Sequence, residues 1–110
     1  IAQVADAMRP GAVLEDVAQV FYSALAQAGF EKDNRCGYST GLSYPPDWGE
    51  RTMSLRPGDR TVLQENMVFH FMPGLWFNDW GFEMSETIRV DANGGECLAK
   101  VPQTLITIDV

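Results

Sequence analysis

An α+β fold is predicted by three observations: a stretch with helical periodicity near the N-terminus, β-prone segments after it, and a hairpin signal between two of those segments. The hairpin signal is Asp91-Ala92-Asn93-Gly94-Gly95. Helices first and antiparallel strands afterwards are the order of an α+β chain. The 110 residues suffice for a single domain spanning 1–110, and the 45% hydrophobic content is ordinary for a packed core.

Taken in order, residues 2–8 have the pattern of a helix end, with Val4 and Met8 on one side. Pro10-Gly11 stops it, because proline lacks the amide a helix needs and glycine accepts unusual dihedrals. Val13, Val17, Val20, Phe21, Ala24, Leu25 and Ala28 then follow i, i+3, i+4 spacing and predict one amphipathic helix. Glu15 and Asp16 lie in its first turn, where the helix dipole favours anions, and Gly29 suits its C-terminal cap. Residues 30–60, rich in Gly, Pro and charge, predict loops around short strands, with a turn at Arg56-Pro57-Gly58-Asp59. Residues 61–71 predict a strand or strand pair, 83–90 another strand, 96–100 its return after the hairpin, and 105–110 a last strand.

The formal net charge is -7, from 15 acidic and 8 basic residues. That balance argues against nucleic acid and against an anionic membrane surface as partners. No apolar run reaches the roughly 18–20 residues of a membrane span. Cys36 and Cys97 lack the spacing of a zinc knuckle or a redox pair, and predict reduced, largely buried thiols in a cytoplasmic protein, with a disulfide between them as the alternative. The chain opens on Ile1 inside a helical pattern, which predicts a piece of a longer protein.

The segment Gly37-Tyr38-Ser39-Thr40-Gly41-Leu42-Ser43-Tyr44-Pro45-Pro46-Asp47-Trp48-Gly49-Glu50 has the make-up of an active-site loop. Its glycines let the backbone approach a ligand, and its tyrosines, Trp48 and carboxylates can recognise a small polar molecule. Val68-Phe69-His70-Phe71-Met72-Pro73-Gly74 and Gly81-Phe82-Glu83-Met84-Ser85-Glu86-Thr87 follow it. In this order, with Arg9-Pro10-Gly11 and the amphipathic helix ahead, the chain resembles the C-terminal domain of the pita-bread superfamily of aminopeptidases, Xaa-Pro peptidases and creatinase. The resemblance covers essentially the whole chain. It implies half of a pita-bread fold, two N-terminal helices packed on a curved antiparallel sheet, with the upstream half absent.

Metal-dependent members of that superfamily bind their ions through aspartates of the upstream half, a histidine in a glycine-rich loop and two glutamates. Tyr38 stands at the histidine position, Met72 at the glutamate before Pro-Gly, Ser85 at the second glutamate, and Pro45 near an expected second histidine. Hard divalent cations need carboxylate or imidazole donors, and Tyr, Met and Ser supply neither. The resemblance therefore implies a metal-independent branch, with no metal and no other cofactor. The run from Arg35 through Arg51, and Leu63-Gln64-Glu65-Asn66-Met67-Val68 onward, look like the ectoine hydrolase branch, which opens a cyclic amidine.

Within that reading His70, the single histidine, is the first catalytic candidate. Strand alternation turns it away from Phe69 and Phe71, and imidazole suits proton transfer near neutral pH. Glu83 and Glu86 flank Ser85 as further catalytic candidates; alternation puts Glu83 with Ser85 and Glu86 opposite, which favours Glu83 as the cleft residue. Tyr38, Tyr44, Trp48 and Glu65 are candidates for binding substrate, with Trp76 and Trp80 as further rings able to stack on an amidinium. Each has a plainer reading: a hydrogen-bonded structural histidine, solvated carboxylates, core aromatics.

The function expected is hydrolysis of a C–N bond in a small cyclic amidine or related nitrogenous compound, with the chain inactive alone. The alternatives are a divergent Xaa-Pro metallopeptidase and a non-catalytic peptide- or protein-binding module. A lone half would expose a sheet edge and apolar surface, so a two-fold homodimer is also expected.

Overall fold

The structure, a computed structural model, describes residues 1–41 and 52–110. Helix α1 (Ala2–Ala7) and helix α2 (Leu14–Gln27) come first. The strands are β1 (Gly37–Ser39), β2 (Ser54–Leu55), β3 (Val68–Phe71), β4 (Leu75–Trp76), β5 (Gly81–Phe82), β6 (Glu86–Asp91) and β7 (Gly94–Cys97). Five of them form an antiparallel sheet in the order β2-β1-β3-β6-β7, and β4 pairs with β5 as a separate hairpin. The α+β class is as the sequence predicts.

Both helices lie on one face of the sheet. Val4, Ala5 and Met8 of the first helical segment and Leu14, Val17, Ala18 and Leu25 of the second are buried with Leu55, Phe69, Phe71, Ile88 and Val90. Phe21 meets Phe71 edge-on at 5.6 Å. Burying each large apolar side chain in this layer contributes about 1.5–3 kcal/mol. The buried face of α2 includes Leu14 and Ala18, while Ala28 is exposed, so the apolar stripe runs slightly off the predicted one.

The helix ends behave as their sequence suggests. Gly29 adopts φ +83°; its amide donates to Ala26 O, and Phe30 N donates to Leu25 O, a Schellman closure that satisfies the last carbonyls. Glu15, in the first turn of α2, accepts from Gly58 N at 3.2 Å and pairs with Arg60 at 3.5 Å, fixing the Arg56–Asp59 turn to the helix.

Four strand expectations are corrected. Residues 61–71 do not form one strand: only Val68–Phe71 does. The earlier part pairs with the connection between the helices, through Leu14 N to Thr61 O, Gly11 N to Leu63 O and Leu63 N to Ala12 O. Asn66, at φ +70°, then breaks the extended run. The strand expected from residue 83 begins at Glu86, and the returning strand, Gly94–Cys97, ends sooner than expected. Residues 105–110 form no strand; they are exposed and have no ladder partner among the described residues. The β4–β5 hairpin is an addition to the predicted elements, and each of its strands has only two residues, too few for a periodic signal. The Asp91–Gly95 hairpin is present, with Asp91 opposite Gly94 across a two-residue turn at Ala92-Asn93.

Candidate functional site

Strand alternation gives the sheet a second face, which no helix covers among the described residues. Phe69, Phe71, Glu86, Ile88 and Val90 point to the helices. Val68, His70, Thr87 and Arg89 point the other way and are only half-buried. Directly paired residues share a face, so one row crosses this open side: Ser54 opposite Tyr38, Tyr38 opposite His70, His70 opposite Thr87.

The middle of that row is a bonded pair. The Tyr38 hydroxyl lies 2.8 Å from His70 Nδ1, and the two rings meet at 90° with centroids 5.1 Å apart. The tautomer sets which atom donates. Gly37 makes the approach possible. A Cβ built there would lie 2.6 Å from His70 O and 3.0 Å from a Leu55 methyl, so any side chain would force β1 off β3 and β2. Ladder bonds hold the strand on both sides: Cys36 N donates to Leu55 O, Met72 N to Cys36 O at 2.7 Å, and Thr40 N to Val68 O at 2.8 Å.

Behind Ser54, Asp59 fixes the short strand β2. Its carboxylate accepts from Ser54 N at 2.8 Å and from Thr61 N at 3.0 Å. Partial burial would raise this carboxyl, but those bonds, together with the Arg56 charge, outweigh it and hold Asp59 below the usual carboxylate range.

Of the residues the sequence singles out, Tyr38 and His70 come together, and Tyr44 and Trp48 lie outside the described residues. Glu83 is exposed and accepts from Ser85 Oγ at 2.7 Å; it lies against Gly74, where an added Cβ would come 3.1 Å from Glu83 Oε2. Glu86 lies on the face of the sheet opposite the Tyr38–His70 pair, as strand alternation predicts. It is 3% exposed, on the helix side of the sheet. It accepts from Thr87 N at 2.9 Å, Ala99 N at 3.2 Å and Gln103 Nε2 at 2.9 Å. Its place opposite Phe71 puts it on the core face, where it ties down the chain after β7. Glu65 is exposed at the turn beside Asn66, near the Arg89 guanidinium, which Asn66 and Glu96 hold by hydrogen bonds.

Trp76 and Trp80 sit on the β4–β5 hairpin, where Trp80 packs on Phe77 with centroids 4.4 Å apart and on Phe30. A shallow cavity of about 480 Å³ lies by Tyr22, Phe30 and Lys32, away from the Tyr38–His70 pair. Arg35 is the residue that sequence reasoning passed over. Its guanidinium carbon lies 4.8 Å above the Tyr38 ring centroid, and its Nη1 donates to Ser54 Oγ at 3.2 Å. An arginine three residues before a tyrosine carries no motif that would have marked it.

The family model of metallopeptidase family M24 matches residues 1–92. An ectoine hydrolase of Halomonas elongata is 52% identical over 98 residues, covering 88% of this chain and 25% of that protein. An uncharacterised hydrolase/peptidase of Sinorhizobium fredii is 47% identical over 102 residues, with 92% and 25% covered. Among solved structures, a dipeptidase from Mycobacterium ulcerans superposes with a TM-score of 0.84 at 27% identity, over 96% of this chain and 28% of that one. A prolidase from Pyrococcus horikoshii gives 0.83 at 24% identity, over 96% and 30%, a likeness of fold. The chain thus spans about a quarter of the length of the curated relatives it matches.

A metallopeptidase centre needs converging carboxylate and imidazole donors. Among the described residues no group of three or more His, Cys, Asp or Glu side chains is placed to hold a metal ion. Tyr38, Met72 and Ser85 offer a phenol, a thioether and a hydroxyl instead. The described donor set does not fit a hard divalent cation.

Proposed function

We propose that this chain, which belongs to metallopeptidase family M24, carries part of the catalytic centre of a metal-independent hydrolase acting on a C–N bond of a small nitrogenous compound, in the manner of an ectoine hydrolase. One observation carries the proposal. On the open face of the sheet His70 is held by Tyr38, which stands where the resemblance calls for a metal-binding histidine. The 52% identity to an ectoine hydrolase supports the substrate class.

The chemistry follows from the pair. In the neutral tautomer with the proton on Nδ1, His70 donates to the Tyr38 oxygen and its Nε2 lone pair is available as a base. Nε2 takes a proton from water as the oxygen adds to the amidine carbon. The imidazolium then returns that proton to the departing nitrogen, the C–N bond breaks, and a cyclic amidine becomes an N-acylated amine. The Tyr38 bond fixes the ring for both transfers, as an orienting partner does in other His-based sites. A carboxylate nucleophile or base contributed from outside this chain is compatible with the same geometry. Tyr44 and Trp48 belong to the proposal as substrate contacts.

The test is incubation of the intact protein with ectoine and with creatine in the presence of a chelator, with products followed by NMR. Ring opening in chelator is expected. Cleavage of Xaa-Pro dipeptides only with added manganese, and of neither small compound, would overturn the proposal.

Self-association belongs to the same proposal. Trp76, Phe77, Trp80 and Phe82 leave apolar surface exposed on the hairpin, as do Leu105, Ile106 and Ile108 near the C-terminus. A two-fold dimer is the expected state of the isolated chain, and a stable monomer by light scattering at micromolar concentration would refute it.

A further inference from the structure

We infer that Arg35 is the anchor for a substrate carboxylate, placed so that the reacting C–N group of the same molecule lies over His70. The inference rests on the proposed hydrolase function and adds a specificity determinant to it.

The first support is charge. The chain carries a net -7, yet the half-buried Arg35 has no carboxylate partner among the described residues. Its neighbours there are an uncharged hydroxyl, Ser54 Oγ at 3.2 Å, and the face of Tyr38 at 4.8 Å. Other described guanidiniums are matched differently, Arg56 by the charge of Asp59. Arg89 pairs with Glu96 at 2.8 Å and Asp91 at 3.8 Å, and Arg60 pairs with Glu15 at 3.5 Å. Arg9 caps the Asp6 carbonyl at 2.7 Å. In so acidic a chain, a half-buried arginine with no anion among the described residues points to an anionic ligand.

The second support is placement. The Tyr38 ring face lies 4.8 Å from the guanidinium carbon and Ser54 Oγ accepts from Nη1 at 3.2 Å, so two contacts hold the head group in place. A fixed planar fork is the geometry that receives a carboxylate through two parallel hydrogen bonds. Tyr38 lies between Arg35 and His70, with one ring in contact with both. A ligand bridging the two is therefore a small molecule that carries a carboxylate and a reactive carbon on one compact frame. Cyclic amidine carboxylates have that shape. A dipeptide, whose C-terminal carboxylate follows its scissile bond, offers the same chemistry.

The test measures affinity in the intact protein, by NMR titration or calorimetry, for a cyclic amidine carboxylate and for its carboxamide. An Xaa-Pro dipeptide and its amide form a second arm that separates the two sources. Wild type is expected to favour the carboxylate about ten- to hundredfold, the span of a charge-assisted bond. Arg35→Met is expected to bring that ratio close to one, with Arg35→Lys in between because it keeps charge without the fork. Thermal melts confirm that each variant is folded.

A preference that survives Arg35→Met overturns the inference. So does equal loss of carboxylate and carboxamide, which would mean that Arg35 only supports Ser54 and Tyr38. A wild type that does not distinguish the two ligands also overturns it. Absence of ring opening alongside an intact carboxylate preference would sink the proposed reaction and leave the anchor standing.

Discussion

Tyr38 and His70 face each other across the β1–β3 ladder, the phenol oxygen 2.8 Å from Nδ1 and the rings perpendicular. The bond orients the imidazole without belonging to the core. Tyr38→Phe keeps the ring and removes one neutral hydrogen bond, worth about 0.5–1.5 kcal/mol. Turnover of the intact protein is expected to fall about three- to tenfold with the melting temperature little changed. His70→Ala is expected to lower it by about 10²–10⁴, the span of a general acid–base group. Equal, small losses in both variants would show that the pair is structural.

Gly37 makes that pairing possible. Gly37→Ala puts a methyl 2.6 Å from a backbone oxygen, His70 O, which cannot rotate away. A loss of about 1–3 kcal/mol is expected from the forced shift, read from urea denaturation. Activity should fall further than stability, because the shift separates Tyr38 from His70. A variant as stable and active as wild type would show that β1 has room the structure does not display.

How much of this could be read from residues alone depended on scale. The α2 face, the Gly29 cap and the Asp91–Gly95 hairpin rest on local rules of spacing and turn chemistry, and all three are present. The alternation Phe69-His70-Phe71 likewise indicated which side His70 would face. Residues 61–67 misled because a β-prone composition does not specify the partner, and here the partner is the link between the helices. Glu86 and Arg35 depend on contacts distant in sequence: Gln103 for one, Ser54 for the other. No local pattern encodes those partners, although strand alternation did place Glu86 on the face away from the site.

Glu86 offers a way to separate structural from catalytic carboxylates. At 3% exposure it accepts from two backbone amides and Gln103, so Glu86→Ala strands those donors. A destabilisation of about 1–3 kcal/mol is expected, with faster amide exchange at Ala99 and kcat unchanged wherever the variant remains folded. Loss of kcat in a fully folded variant would return Glu86 to the catalytic site.

Asp59 predicts an acid limit. Its folded-state pKa lies below the unfolded value of about 3.9. The stability this carboxylate contributes is therefore complete above that value and disappears as pH falls through the lower folded-state value. Urea midpoints of wild type and Asp59→Asn should differ at pH 7 and converge toward pH 3. A gap that stays constant down to pH 3 would mean that the carboxylate's charge plays no part.

The two thiols predict an alkaline counterpart. Cys36 is fully buried and gives its proton to Leu55 O at 3.4 Å. Burial pushes the thiol up to about 11, against the opposing bond with Tyr22 and the Lys32 charge. Burial likewise raises the Tyr22 phenol, whose hydroxyl donates to Asn34 O at 2.8 Å. A raised folded-state value means that the contribution to stability is complete below the unfolded thiol value of about 8.5 and is lost as pH rises toward 11. Cys97 is only half-buried, and neither cysteine is in a disulfide. At neutral pH a thiol reagent should modify Cys97 quickly and Cys36 only at the rate of opening, so Cys97→Ala should leave a single slow phase. That phase should accelerate between about pH 8.5 and 11 as the fold weakens, in step with the loss of the near-ultraviolet dichroism of the buried aromatics. Equal labelling rates for the two thiols at neutral pH would show that the layer between α2 and the sheet opens far more readily than its packing indicates.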